Sequence, residues 1–116
     1  MKLRFHNDSL RLRLSQSEVA RLKETGRVEN TVTFAPGQAL AYSIEAGAAA
    51  AVTATFEQGR VRVVVPAAVA RQWIDSDQTG VEGGGSGLQI LIEKDYQCLH
   101  KPTPEDADAF PNPQKL

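Results

Sequence analysis

The chain has 116 residues and a formal net charge of −1, with 41% hydrophobic and 23% charged residues. That length and composition are typical of one globular domain, which folds without disulfides or metals. The near-zero charge argues against long-range attraction to nucleic acid or anionic membranes. The single cysteine excludes an intrachain disulfide, and no stretch is long and apolar enough to span a bilayer, so we expect a cytoplasmic protein.

The first half of the chain predicts four strands and one helix. Alternation of hydrophobic and polar residues, which is typical of strands with one buried face, predicts strands over Leu3–Phe5, Leu10–Leu14, Val28–Phe34 and Leu40–Ile44. After the second strand, Ser15 and Glu18 have the spacing of a capping box. They predict a helix that ends at Gly26.

The second half predicts a similar series of elements. Alternation predicts strands over Val52–Phe56, over Val61–Val65, from Val81 and over Leu88–Ile92. Pro66 suits the first turn of a helix that runs to about Ile74. Gly83–Gly87 predicts a flexible loop before the last strand.

Together these elements predict an α+β fold with a mainly antiparallel sheet and two helices. The order strand–helix–strand–strand occurs twice at a spacing of roughly 50 residues, which indicates an internal pseudo-repeat. The alternative is chance similarity between short alternating segments. A ferredoxin-like pair of layers and a small closed barrel both fit this order. Residues 1–100 are expected to form a single domain, and the proline-rich residues 101–116 an extended tail.

The hydrophobic positions of the strands predict the core. We expect these residues to be buried on one side of one sheet system, with Trp73 anchoring the second helix. The predicted core residues are Leu12, Leu14, Val32, Ile44, Phe56, Val63 and Ile90.

Two rows of arginines are the main candidate for a ligand site. Because strand side chains alternate, Arg11 and Arg13 share a face, as do Arg60 and Arg62, and we expect all four on one sheet. Guanidinium groups in pairs can fork onto phosphate or carboxylate groups. Three glutamates with the same outward parity can instead neutralise the arginines: Glu29, Glu45 and Glu93. We favour a self-neutralised surface; the alternative is an enclosed pocket for a small anionic ligand.

The two units, with strands rich in arginine and glutamate, resemble the CYTH-like triphosphate-tunnel architecture. That resemblance implies an eight-stranded tunnel that binds triphosphates with a divalent metal. The N-terminal strand of the family carries alternating glutamates, whereas Lys2, Arg4 and His6 occupy the corresponding register here. The metal-binding carboxylates are therefore missing, and what the resemblance implies is an anion-binding protein or a degenerate hydrolase.

A second resemblance is to a group of small bacterial proteins of unknown function. It rests on the opening Asn-Asp-Ser-Leu-Arg-Leu-Arg-Leu at 7–14, on Ser17–Val19, on Glu93–Leu99 and on the tail Phe-Pro-Asn-Pro at 110–113. The similar segments span most of the chain. No activity is attached to the group, so the resemblance implies no mechanism. The function that we favour is that of a small non-enzymatic binding or accessory domain.

Other kinds of site are less compatible with the sequence. Cys98, His100 and Asp106 are the alternative for a zinc site, but a structural site usually has two Cys/His pairs, so we expect no metal and no cofactor. Nucleic acid is disfavoured because no aromatic residues are interleaved with the arginines. The expected partner is a small anionic ligand or another protein, and no membrane is expected.

Overall fold

The computed structural model describes residues 1–85, 87–96, 108, 110 and 111. These residues form an α+β fold, which confirms the predicted class. In chain order the elements are β1 (Lys2–His6), β2 (Ser9–Leu14), α1 (Gln16–Thr25), β3 (Arg27–Ala35), β4 (Gln38–Gly47), β5 (Thr53–Glu57), β6 (Arg60–Pro66), α2 (Ala67–Ile74), β7 (Gly80–Gly85) and β8 (Leu88–Lys94). No helix of the described residues has the length and apolar character needed to cross a membrane.

The strands form two separate four-stranded sheets. Sheet A has the order β1-β2-β8-β7 and sheet B the order β3-β4-β6-β5. In each sheet the two outer pairings are antiparallel and the central one is parallel. Each sheet is therefore mainly antiparallel, as predicted, but the strands form two sheets and not the single sheet system that the sequence predicted. In the described part of the chain the strands do not close into a barrel, so that alternative is wrong.

The internal repeat is confirmed, and a hairpin precedes each helix. The elements β1 to β4 with α1 recur as β5 to β8 with α2, and Lys2 at the start of β1 corresponds to Thr53 at the start of β5. Helix α1 carries the chain from sheet A to sheet B, and α2 carries it back. Each sheet therefore contains one hairpin from each half of the chain.

The connections place the helices and the turns at opposite ends. Helix α1 begins after the carboxyl end of β2, and helix α2 after the carboxyl end of β6. Strand β8 runs parallel to β2, and β4 runs parallel to β6, so these strands end at the same end of the sheets. We call this the helix end, and the end with the four hairpin turns the turn end. Asn7 and Gln58 occupy equivalent turn positions and share a φ of 50°, so the two halves use the same turn geometry.

Local signals decide where α1 begins and ends. The Ser15 hydroxyl accepts a hydrogen bond from the Glu18 amide, and the Glu18 carboxylate accepts one from the Ser15 amide, which completes the predicted capping box. Gly26 has a φ of 80°, and its N–H donates to the Leu22 carbonyl. A left-handed conformation at this position favours glycine, and it stops the helix where predicted.

One hydrophobic core joins both sheets and both helices. Trp73 on α2 is only 1% exposed, and its Nε1 donates to the Thr79 carbonyl at 3.1 Å. Among the predicted core residues, the buried ones are Leu12, Leu14, Ile44, Val63 and Ile90. Val32 and Phe56 were predicted to be buried and are exposed. Both lie on the inward face, but near the turn end, where no helix covers the sheets.

The first three residues of the predicted glycine-rich loop, Gly83–Gly85, belong to strand β7, so that part of the prediction is wrong, whereas Gly87 lies in a turn. A Cβ on Gly83 would lie 2.2 Å from the Cβ of Val52, and the Gly84 amide donates to the Val52 carbonyl at 3.3 Å. Only a residue without a side chain allows this approach. The glycines therefore let β7 of sheet A touch the segment that leads into β5 of sheet B.

Replacing Leu12 by alanine is expected to reduce the free energy of unfolding by about 2–5 kcal/mol, because Leu12 is fully buried at the centre of sheet A. Chemical denaturation measures the change. Leu91→Ala, on the outward face of β8, is the control and should cost about 1 kcal/mol or less. Equal losses in the two variants would show that the faces of sheet A are assigned wrongly.

Gly83→Ala is expected to destabilise the protein by about 1–3 kcal/mol, because the new methyl group would overlap Val52. Gly47→Ala is the matched control, since a Cβ there meets Val64 at an ordinary 3.5 Å. A Gly83→Ala variant as stable as Gly47→Ala would contradict the close approach of the two sheets.

Candidate functional site

The two arginine rows lie on the outward faces of different sheets. Arg11 and Arg13 project from β2 of sheet A, and Arg60 and Arg62 from β6 of sheet B. The two rows therefore do not line one pocket. The described strands likewise form no eight-stranded tunnel around these side chains, unlike the architecture that the CYTH-like resemblance implies.

On sheet B the arginines are hydrogen-bonded to glutamates. The Arg62 guanidinium holds both carboxylate oxygens of Glu45, at 2.5 and 3.1 Å. Glu29 accepts from Arg60 at 3.2 Å and from Arg27 at 2.5 Å. Chiefly through its hydrogen bond, Arg62 holds the pKa of Glu45 below its usual value. This face is self-neutralised, as the favoured interpretation of the sequence predicted.

On sheet A one glutamate serves two arginines. Glu93 Oε1 lies 3.2 Å from Arg11 Nε and 3.9 Å from Arg13 Nε. Neither approach has the geometry of a hydrogen bond, and this buried oxygen has no hydrogen-bond partner among the described residues. Glu93 thus lies beside both arginines, but it contacts them more loosely than Glu45 contacts Arg62, and one carboxylate does not neutralise two arginines as the favoured interpretation predicted. The ligand-binding role of the rows stays a prediction.

The alternative zinc site lies outside the described residues. Cys98, His100 and Asp106 all belong to the part of the chain that is not described. In the described part, no three side chains of the metal-ligating types come together. Asp108 lies at the N-terminus of α1, where its carboxylate accepts from the Ser17 amide and hydroxyl. These hydrogen bonds, with Ser17 contributing most, lower the pKa of Asp108.

The most apolar opening among the described residues lies between the sheets, away from the arginines. It is a cleft of about 440 Å³. The cleft is lined by Phe5, Leu10, Ala54, Thr55, Phe56, Val61 and Leu88, which come from both sheets. None of these side chains is ionisable. We call this feature the apolar cleft.

The internal repeat supplies both sides of the apolar cleft. Phe5 and Leu10 of the first half correspond to Phe56 and Val61 of the second half, and each pair is directly opposite in its hairpin. Phe5 and Phe56 are 58% and 69% exposed. Phe34, near the turn between β3 and β4, is 71% exposed. Exposed aromatic rings in such number typically mark an interaction surface.

Sequence reasoning placed these phenylalanines on the inward face but missed that the face is uncovered there. The period of two assigns a side chain to a face, and it contains no information on what packs against that face. A usable signal was the position of Phe5 and Phe56, each two residues before the turn-forming residue Asn7 or Gln58. Side chains so close to a turn lie at the end of a sheet.

Comparison with known proteins assigns a family to the chain. The model of a family of unknown function, DUF7009, matches residues 1–114. The chain belongs to this family. The match agrees with the resemblance to small proteins of unknown function, and membership in DUF7009 brings no activity with it. No curated protein and no solved structure matches the chain.

The Glu45–Arg62 pair predicts part of the acid sensitivity. Because the folded-state pKa of Glu45 lies below its unfolded value, the pair stabilises the fold above the usual glutamate pKa of about 4.3, and this contribution is lost as the pH falls through the lower folded value. Since Arg62 is 56% exposed, screening by solvent keeps this contribution small at neutral pH.

Glu45→Gln should flatten the loss of stability below about pH 4.3, and Arg62→Gln should do the same because it removes the cause of the shift. Urea denaturation across the acid range measures both. An acid limb that is unchanged in both variants would contradict a paired Glu45.

Proposed function

We propose that this chain is a non-enzymatic binding module whose apolar cleft holds apolar side chains of a partner protein. The observation that carries the proposal is the exposure of Phe5 and Phe56 on the two sides of the cleft. Exposed aromatic side chains in a concave setting are typical anchors of protein interfaces.

The composition of the walls supports binding rather than catalysis. An active site needs groups that transfer protons, attack a substrate or stabilise charge. Of the seven residues around the apolar cleft, Thr55 alone carries a hydroxyl, and it lies on the outward face of β5 opposite Arg62; none of the seven has an ionisable group. What the walls supply is the burial of apolar surface, which favours association at about 25 cal/mol per Å².

The openness of the cleft supports a protein partner over a small molecule. Ligand pockets usually enclose 70–90% of the surface of a drug-sized ligand. Here Phe5 and Phe56 keep more than half of their own surface in solvent. Phe34 and Val32 also expose apolar surface toward the turn end of sheet B. A polypeptide segment with several apolar side chains can cover this surface, whereas one small molecule cannot.

The proposal includes the organisation expected from the sequence. Residues 1–100 are the binding domain and residues 101–116 an extended tail, in a cytoplasmic protein. The single cysteine and the prolines of the tail support this part.

Selection from a random peptide library displayed on phage tests the proposed partner. We expect the enriched peptides to carry two or more aromatic or aliphatic anchors. Their binding should weaken at least tenfold, about 1.4 kcal/mol, in Phe5→Ser/Phe56→Ser. Because both rings are largely exposed, this variant should keep the stability of the parent within about 1 kcal/mol.

Val69→Ala is the matched control, since Val69 is an exposed apolar residue of α2 at the helix end. It should bind the selected peptides like the parent. Three results would overturn the proposal: peptides that bind independently of Phe5 and Phe56, a self-associated protein in which the cleft is already covered, or binding of the uncharged dye Nile red with no peptide enriched.

A further inference from the structure

The outward face of the hairpin β1–β2 concentrates positive charge. Lys2 lies directly opposite Arg13, and Arg4 directly opposite Arg11. Like charges in these positions destabilise a strand pair. The four side chains alone line a surface hollow of about 210 Å³. We call it the basic hollow.

Among the described residues, only two carboxylates form ion pairs with these four cations. Glu93 is shared between Arg11 and Arg13, and Asp95 lies 3.0 Å from the Lys2 ammonium. Glu82, on the same face of β7, reaches none of the four side chains within 4 Å, and Arg4 has no carboxylate within that distance among the described residues. The hollow therefore keeps a surplus of positive charge.

The hydrogen bonds of the arginines show the same surplus. Among the described residues, the side chains of Arg4, Arg11 and Arg13 make no hydrogen bond to the protein. On sheet B, by contrast, Arg62 donates two hydrogen bonds to Glu45. The guanidinium donors around the basic hollow are therefore available to a ligand.

The second half of the repeat shows that the fold does not require this charge. The Arg11–Glu93 pair has its equivalent in Arg62–Glu45. The other three cations of the hollow have uncharged equivalents in sheet B: Lys2, Arg4 and Arg13 correspond to Thr53, Thr55 and Val64. The same hairpin thus forms without the extra cations, which points to a role other than folding.

We infer that the basic hollow binds the phosphate group of a small phosphorylated ligand. Guanidinium forks match pairs of phosphate oxygens, and a lysine adds a point charge. A dianionic phosphate would offset the repulsion between the cations that face each other across β1 and β2. The site is separate from the apolar cleft, since it lies on the opposite, outward face of sheet A.

Thermal melting and calorimetric titration at constant ionic strength test this site. The probes are inorganic phosphate, glucose 6-phosphate and sulfate. We expect a rise in the melting temperature with at least one phosphate, a dissociation constant at or below about 1 mM, and weaker binding of sulfate. Tighter binding of the ester identifies a phosphorylated metabolite, and tighter binding of inorganic phosphate identifies the free anion.

Paired variants of equal charge separate the basic hollow from general attraction of anions. Arg4→Gln/Arg13→Gln should weaken phosphate binding at least tenfold. Arg27→Gln/Arg60→Gln removes two arginines of sheet B, both of which contact Glu29, and should bind like the parent. Equal losses in the two variants, no binding of any phosphate, or binding of a single-stranded oligonucleotide alone would overturn the inference.

Discussion

The parallel pairing of β2 with β8, and of β4 with β6, is the contact on which the rest of the structure depends. Each helix carries the chain to the other sheet, so neither half contains a complete sheet of its own. Leu12 beside Ile92, and Ile44 beside Val63, join the halves at the centre of each sheet, and all four are fully buried. The two halves therefore stabilise each other through one shared core.

The same connections explain why the surfaces differ in character. Helix α1 follows β2 and helix α2 follows β6, and both strands end at the helix end. The helices therefore cover that end of the sheets and leave the turn end without cover. Apolar residues on the inward faces, Phe5 and Phe56 among them, then reach solvent as the walls of the apolar cleft. The outward faces carry the arginines and glutamates of the strands, whereas Lys94 of β8 is buried. Because the two halves are related by the repeat, each residue of the basic hollow can be compared with its equivalent on the neutral face of sheet B.

Much of the local structure was predictable from the sequence. The capping box of Ser15 and Gly26 at the end of α1 are signals between residues close in the chain, and both act as predicted. The assignment of strands to sheets depends on the two crossovers, which no local pattern encodes. For that reason Arg11 and Arg62 were expected on one sheet, and Gly83, whose role depends on distant Val52, was expected in a loop.

Solvent paramagnetic relaxation in an NMR experiment tests most directly whether the turn end is open. An inert, soluble gadolinium chelate broadens the signals of protons that solvent reaches. The structure predicts strong broadening for the ring protons of Phe5, Phe34 and Phe56, and little for the methyl groups of Leu12 and Ile92. Rings as protected as those methyl groups, at a concentration where the protein is monomeric, would contradict an open apolar cleft.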